Sequence, residues 1–441
     1  MNTYFPEVNK IEYAGQNASS QLAYRYYDPK RIVLGKTMAE QLKLAVCYWH
    51  TFCAKGYDAF GPETRNYAWD NADNKLKAAE QKLDAAIEFV TKLNVGYLTF
   101  HDTDLAPQGS NPKEYVANFK HMVDKLAYKM QEHKLKLLWG TANAFSHPRY
   151  MNGAATSNDP EVFAHAAFQV KHALDATKQL GGQGYVLWGG REGYNSTLNT
   201  DIKQELDQFG RFLTMVVEHK HKIGFSGGLY IEPKPCEPTK HQYDFDSATV
   251  YALLQKFGLE KEFQLNIEAN HATLAGHSFA DEIAYACANG ILGSVDINRG
   301  DAQNGWDTDQ FPNSVEELTL VIYEIMRNGG FKTGGFNFDA KIRRSSTNLE
   351  DLFYAHIGAI DVLAKSLLAA ESLIHSKQLQ QVVDARYKKW KSPLGESILR
   401  GNSSLEQLAQ DVLTNNTDVH PGSEQQELCE NIVNQHIWNS K

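Results

Sequence analysis

A chain of 441 residues with 42% hydrophobic and 22% charged residues has an ordinary globular composition, which excludes a disordered, collagen-like or coiled-coil rod protein. Forty-four Lys and Arg against 53 Asp and Glu give a formal net charge of -9, which argues against a dedicated binder of nucleic acid or of an anionic membrane. The length accommodates about three domains of roughly 150 residues, or one large α/β barrel with an appendage.

The five cysteines, Cys47, Cys53, Cys236, Cys287 and Cys429, are odd in number, scattered, and without a CxxC spacing. That pattern fits a reduced cytoplasmic protein better than a disulfide framework. Residues 1–14 include Glu7 and Glu12 and lack the apolar core of a secretory signal. No run approaches the ~18–20 apolar residues of a membrane span. Asn195-Ser196-Thr197 therefore reads as a chance sequon.

Along the chain, short apolar runs alternate with long helical stretches. The runs are Leu44–Trp49, Tyr97–His101, Leu137–Thr141, Tyr185–Trp188, Leu229–Glu232, Leu265–Glu268, Gly293–Asp296 and Gly335–Asp339. Each is of strand length and apolar on both faces, as buried parallel strands are. Their ends lie 28 to 52 residues apart, leaving room for a crossover helix each time. Lys75–Leu93, rich in Ala, Lys, Glu and Leu, is one such helix. Asp159-Pro160-Glu161 opens another with an N-cap and a proline in the first turn. Ser314-Val315-Glu316-Glu317 reads as a capping box, and Gly329-Gly330 closes that helix. Eight such units without a dinucleotide-binding glycine fingerprint predict an α/β fold, a (β/α)8 TIM barrel, with an open doubly wound sheet as the alternative. After Asp339, Leu349–Leu373 is one long helical pattern, and from Ser376 the sequence is polar, helical and free of strand runs. The expected division is a catalytic barrel with an N-terminal extension over residues 1–375 and an extended α-helical C-terminal arm over 376–441. An arm of that kind adds little to a barrel core and is suited to embracing a neighbouring subunit.

Active sites of such barrels are built where strands end. Here the run ends and the loops just beyond carry His101, Glu232, Glu268, Asp296, Asp307, Asp309 and Asp339. A carboxylate facing a barrel interior is costly unless paired or metal-bound. Singly, each has an ordinary explanation. Glu232 and Lys234, two apart on one strand face, make a plain ion pair as readily as a site, although Pro233 and Pro235 hold both rigidly. His271 is three residues from Glu268 and could be a satisfied structural histidine; Asp296 and Asp339 could be caps. Asp307-Thr308-Asp309 and Asp102-Thr103-Asp104 both match the weak DxD pattern. Jointly, six carboxylates and one imidazole are too much negative charge for one cavity without cations. An oxygen-rich set with a single nitrogen suits Mg²⁺, Mn²⁺ or Co²⁺, and it is large enough for two ions sharing one ligand. Trp49 and Trp188 fit a platform under an apolar sugar face, whereas Phe100 and Trp139 read as core packing. Gly224-Phe225-Ser226-Gly227-Gly228 fits GxSxG but precedes a strand, so it is not a nucleophile elbow. His219-Lys220-His221-Lys222 reads as a solvated helix end.

Together the segments Trp49-His50-Thr51-Phe52, Phe100-His101-Asp102-Thr103-Asp104, Trp188-Gly189-Gly190-Arg191-Glu192-Gly193, Glu232-Pro233-Lys234-Pro235, Asn266-Ile267-Glu268-Ala269-Asn270-His271, Trp306-Asp307-Thr308-Asp309 and Asn337-Phe338-Asp339 resemble the D-xylose isomerase family, in its longer-chain class, over essentially the full length. The resemblance implies a homotetramer that interconverts D-xylose and D-xylulose, and D-glucose and D-fructose, by ring opening and a 1,2-hydride shift. It implies two divalent cations per subunit. Glu232, Glu268, Asp296 and Asp339 would hold the first; Glu268, His271, Asp307 and Asp309 would hold the second. It further implies that His101, oriented by Asp104, assists ring opening, and that Lys234 polarises the carbonyl oxygen at C1. Trp49, Trp188, Thr141 and Phe145 would line the site, with Phe60 supplied by the neighbouring subunit. A barrel metal hydrolase, such as an endonuclease, is the competing reading; it calls for a more histidine-rich metal set and a basic groove. A non-catalytic sugar binder is a third, and it would have no use for Lys234 or a second metal set.

Overall fold

The computed structural model describes residues 3–416 and 418–440. Its centre is a closed barrel of eight parallel strands: β1 Leu44–Cys47, β2 Tyr97–His101, β3 Lys136–Thr141, β4 Gly184–Trp188, β5 Gly228–Glu232, β6 Phe263–Glu268, β7 Leu292–Asp296 and β8 Phe336–Phe338. Each strand pairs with its neighbour in sequence, and β8 returns to β1 through Asn337 opposite Ala45. This is a TIM barrel; the open-sheet alternative is excluded by closure.

One outer helix follows each of the first seven strands: α1 Lys75–Leu93, α2 Pro112–His133, α3 Pro160–Gln179, α4 Ile202–Ile223, α5 Ser247–Phe257, α6 Phe279–Ala288 and α7 Val315–Arg327, with short helical turns at Asp102–Leu105 and Ala269–Leu274 directly after β2 and β6. Their starts follow from capping chemistry. Asn74 accepts the Lys77 N–H, and Asp159 accepts that of Glu161 ahead of Pro160. At α7 only half of the expected capping box forms. Ser314 accepts the Glu317 N–H at 3.2 Å, without the return bond that Glu40 makes to Thr37. Gly329 and Gly330, with φ of 95° and 73°, end that helix. Gly224 is the left-handed cap of α4 and Gly228 opens β5, so the GxSxG segment runs into a strand as its position requires.

Barrel and helices bury one continuous apolar layer between them. A smaller cluster of Ala45, Leu138, Trp139, Val186 and Tyr230 is walled off from it. Tyr230 is packed against the backbones of Gly184, Gly228 and Gly293 on three strands, where an added Cβ would stand 2.1, 2.6 and 2.4 Å from its ring.

The chain then runs through α8 Glu350–Ser376, which Asp361 ties to the N-terminal extension by accepting the N–H groups of Arg25, Tyr26 and Tyr27. Beyond it lie α9 Gln378–Arg386, α10 Pro393–Leu399, α11 Leu405–Asn415 and α12 Gln426–Asn439. The helices α9 to α11 bury almost nothing on their own chain. α12 departs from the expectation that the arm adds little to the core. It folds back so that Ile432 and Val433 join the apolar layer, and Ser372 and His436 bond at 2.7 Å between α8 and α12. No helix among the described residues is long and apolar enough to cross a membrane.

Candidate active site

The strand ends open into a cavity of about 200 Å³. Glu232, Glu268, His271, Asp307, Asp309 and Asp339 line one part of it; Trp49, His101, Trp139, Thr141, Phe145, Val186 and Trp188 line the rest, with His50 between. Four expected residues do not line it. Asp296 is fully buried behind the carboxylates, Asp104 stands behind His101, Lys234 is buried against Asp307, and Phe60 is 91% exposed, away from the cavity of its own chain.

Two carboxylate groups converge. Glu232, Glu268, Asp296 and Asp339 can bring one oxygen each within 4.8 Å of one another, as can Glu268, Asp307 and Asp309, so Glu268 is common to both. His271 meets them through Nε2, 3.1 Å from Glu268 and 3.2 Å from Asp307. Burial and the charge of Asp296 push the Glu232 carboxyl well up; burial and Asp307 do the same to Glu268, and burial and Asp339 to Asp296. Two members go the other way because a cation stands beside them. For Asp307, burial is outweighed by Lys234 at 2.6 Å, and for Asp339 by His50 at 3.0 Å; both carboxyls are lowered. Burial alone would lower His50, but Asp339 and Asp309 together lift it to about 9.

Sequence reasoning missed the groups that hold these carboxylates. Asn266 Nδ2 donates to Glu232 at 3.0 Å and to Asp296 at 2.9 Å. Asn298 donates to Glu268 at 2.7 Å, and Asn337 to Asp296 at 2.7 Å. Each asparagine lies two residues from an acid in the same strand or its extension, hence on the same face, and that spacing was a signal available in the sequence. His50, Lys341 and the cavity-facing role of Trp139 were also missed. Trp139 does both jobs: it belongs to the inner-barrel cluster and its ring, 5.6 Å from that of Trp49, borders the cavity.

The other wall is aromatic. His101 lies edge-on to Trp49 at 4.4 Å and to Phe145 at 5.6 Å, and Phe145 meets Trp188 at 4.4 Å. His101 Nδ1 bonds Asp104 at 2.9 Å, which leaves Nε2 as the free ring nitrogen. Asp102 has a structural role. It is fully buried and accepts from Thr103, Asn143, Tyr115 and Gln169, binding the loop after β2 to the loop after β3. Thr141 spends its hydroxyl proton on the Val186 carbonyl at 2.7 Å. Lys234 sits 5.3 Å over the Trp188 ring, with Nζ on Asp307 and 3.3 Å from Glu237. Burial opposes its charge, but Asp307 and Glu268 raise its pKa further.

Comparison with known proteins agrees with this geometry. Xylose isomerase of Haemophilus influenzae (strain 86-028NP) is 61% identical over 438 residues, 99% of this chain and 100% of that protein. The xylose isomerases of Mannheimia succiniciproducens and a Marinomonas strain are 60% and 58% identical over the same extent. The XylA2 C-terminal domain family matches residues 383–437. Among solved structures, a Rhodospirillum rubrum protein provisionally assigned as a xylose isomerase superposes with a TM-score of 0.51 at 14% identity, covering 73% of this chain and 98% of that one. D-psicose 3-epimerase from Clostridium cellulolyticum superposes at 0.50 and 13%, covering 74% and 99%; both likenesses concern the barrel fold. A parallel barrel with this acidic rim, matched end to end at about 60% identity by such enzymes, is an aldose–ketose isomerase. The chain belongs to the xylose isomerase family.

Proposed function

We propose that the chain interconverts D-xylose and D-xylulose, and D-glucose and D-fructose, using two divalent cations per subunit, Mg²⁺, Mn²⁺ or Co²⁺. The observation that carries this is the pair of carboxylate groups sharing Glu268 on one side of an aromatic cavity. The donor set fits hard divalent cations: six carboxylates and one imidazole, most of them buried, with the carboxyls of Glu232, Glu268 and Asp296 pushed up by burial and by one another's neighbouring charge. Glu232, Glu268, Asp296 and Asp339 would hold one ion; Glu268, His271, Asp307 and Asp309 the other. When bound, the cations supply Lewis-acid stabilisation of charge developing on the substrate oxygens at C1 and C2.

The protein's own groups do the rest. Asp104 fixes the proton of His101 on Nδ1, so Nε2 can take the proton of the anomeric hydroxyl as the ring C–O bond breaks, and return it to the ring oxygen. Lys234 has three N–H donors, two of them directed to Asp307 and Glu237. The third would serve the carbonyl oxygen at C1. Trp49, Phe145 and Trp188 shield the open chain from water, which favours direct transfer of hydrogen with its electron pair from C2 to C1 while the O2 proton passes to O1. Thr141 lines the pocket. Phe60, exposed on its own chain, would complete the pocket of a neighbouring subunit within a homotetramer whose contacts come from residues 376–441. Five free cysteines support a cytoplasmic location. The test is to strip the protein with a chelator, restore each cation, and follow D-xylose by NMR in D₂O. Xylulose carrying protium at C1 is expected. No ketose with any of the three ions refutes the activity, and heavy deuterium at C1 refutes the hydride shift in favour of an enediol.

A further inference from the structure

One side chain ties the two carboxylate groups together without belonging to either. His50 follows Trp49 in a wide turn, Trp49–Cys53, that the Ala54 N–H closes on the Trp49 carbonyl at 3.0 Å. The turn brings both side chains to the rim. His50 Nε2 stands 3.0 Å from Asp339 Oδ1 and 3.2 Å from Asp309 Oδ2. Asp339 belongs to one group and Asp309 to the other. Trp49 Nε1 donates to the same Asp339 oxygen at 2.8 Å, and Lys341 Nζ to the same Asp309 oxygen at 2.6 Å. Each carboxylate therefore has one oxygen occupied by N–H donors, which fixes the direction in which its other oxygen points.

We propose that His50 is a positioning residue that sets the two cation groups relative to each other, acting through Asp339 and Asp309. The proposal rests on the two-cation reading above. Glu268 joins the groups as a shared ligand; His50 joins them as a shared ion-pair partner. A donor to one group alone, such as Lys341, would tune one ion, whereas His50 contacts both. Outer partners of this kind typically change metal affinity about 10- to 100-fold when removed.

The test uses full-length, chelator-stripped protein titrated with Co²⁺ and followed by calorimetry and by visible absorption, with no substrate present. The wild type is expected to bind two ions per chain. His50→Ala should weaken both by about 10- to 100-fold. His50→Gln, whose amide can place an N–H near the position of Nε2, should recover most of that loss at both. Unchanged affinity in His50→Ala, loss at one ion only, or a glutamine variant as weak as the alanine one each overturns the proposal. Should His50→Ala fail to fold, His50→Gln decides alone: near-wild-type binding of both ions supports the role, and weakened binding refutes it. A wild type that binds fewer than two ions overturns the two-cation reading itself, so the two failures are told apart.

Discussion

Glu232 shows how one residue's chemistry can be tested in isolation. It belongs to the group with Asp296 and Asp339 and not to the group with Asp307 and Asp309. Glu232→Gln keeps shape and removes charge, so the first Co²⁺ should bind about 10-fold more weakly or worse while the second changes far less; equal loss in the two absorption steps contradicts the assignment. The same carboxyls set a pH dependence. Glu232, Glu268 and Asp296 are raised in the folded state, chiefly by burial. A raised carboxyl contributes stability that is whole below the unfolded value of about 4 and is lost as pH rises through the folded value. The share of stability that these three carboxyls contribute to cation-free protein should therefore be lost from pH 4 upward, and added Mg²⁺ should raise the melting temperature more at pH 7.5 than at pH 5; a pH-independent increment contradicts it. The acids were legible in the sequence because a charge at the end of an apolar run is conspicuous. The asparagines that hold them were not, since a neutral amide within a strand carries no such contrast, and only its two-residue offset from an acid gives it away. His50 was hidden for a different reason: its partners are some 260 and 290 residues distant in sequence, and only barrel closure brings them together.

Elements were legible wherever local chemistry decides them. β2 spans the predicted residues, α1 likewise, and the caps at Asp159 and Ser314 fall where short polar side chains precede helical stretches. Departures occur where backbone geometry overrides apolar character. Trp49 continues an apolar run but lies in the wide turn after β1, and β8 stops at Phe338, so Asp339 stands beyond the ladder. The α8 helix carries a feature that composition could not show, a fully buried histidine. His356 donates its Nδ1–H to the Leu352 carbonyl and lies against Phe89, Phe311 and Phe338. Burial lowers its pKa to about 4. Between pH 6.5 and 4 the unfolded chain then takes up a proton that the folded one refuses, so stability falls as pH drops through this window, by about 2 kcal/mol at pH 5. His356→Phe should remove that share of the acid sensitivity. The comparison is of urea midpoints at pH 7 and pH 5 in both proteins; an identical pH decrement would mean that this ring does not titrate on unfolding.

At the scale of the molecule, one barrel carries the site and its surface divides into a sealed part and an open part. The barrel was legible as eight similarly spaced runs, because parallel strands buried on both faces leave little room for polar residues except at their ends. The arm was legible as helix, but the return of α12 onto α8 was not, since nothing in its sequence separates Ile432 and Val433, which are buried, from Leu428 and Trp438, which stay exposed. The arm between those helices is different. Trp390, Leu394, Leu399, Leu405, Val412 and Leu413 are 45 to 83% exposed on this chain, far more apolar surface than a free arm needs. If that surface meets other subunits, charging it must cost assembly without touching the fold of the single chain. Leu405→Glu with Leu413→Glu should leave the circular dichroism spectrum intact and reduce the mass in sedimentation from that of the proposed tetramer to a smaller species. Since Phe60 is exposed on its own chain and proposed to complete a neighbour's pocket, turnover should fall with the mass while Co²⁺ binding, built entirely from one chain, persists. A variant that stays tetrameric removes the arm from the interface; one that dissociates yet keeps full activity removes Phe60 from the pocket.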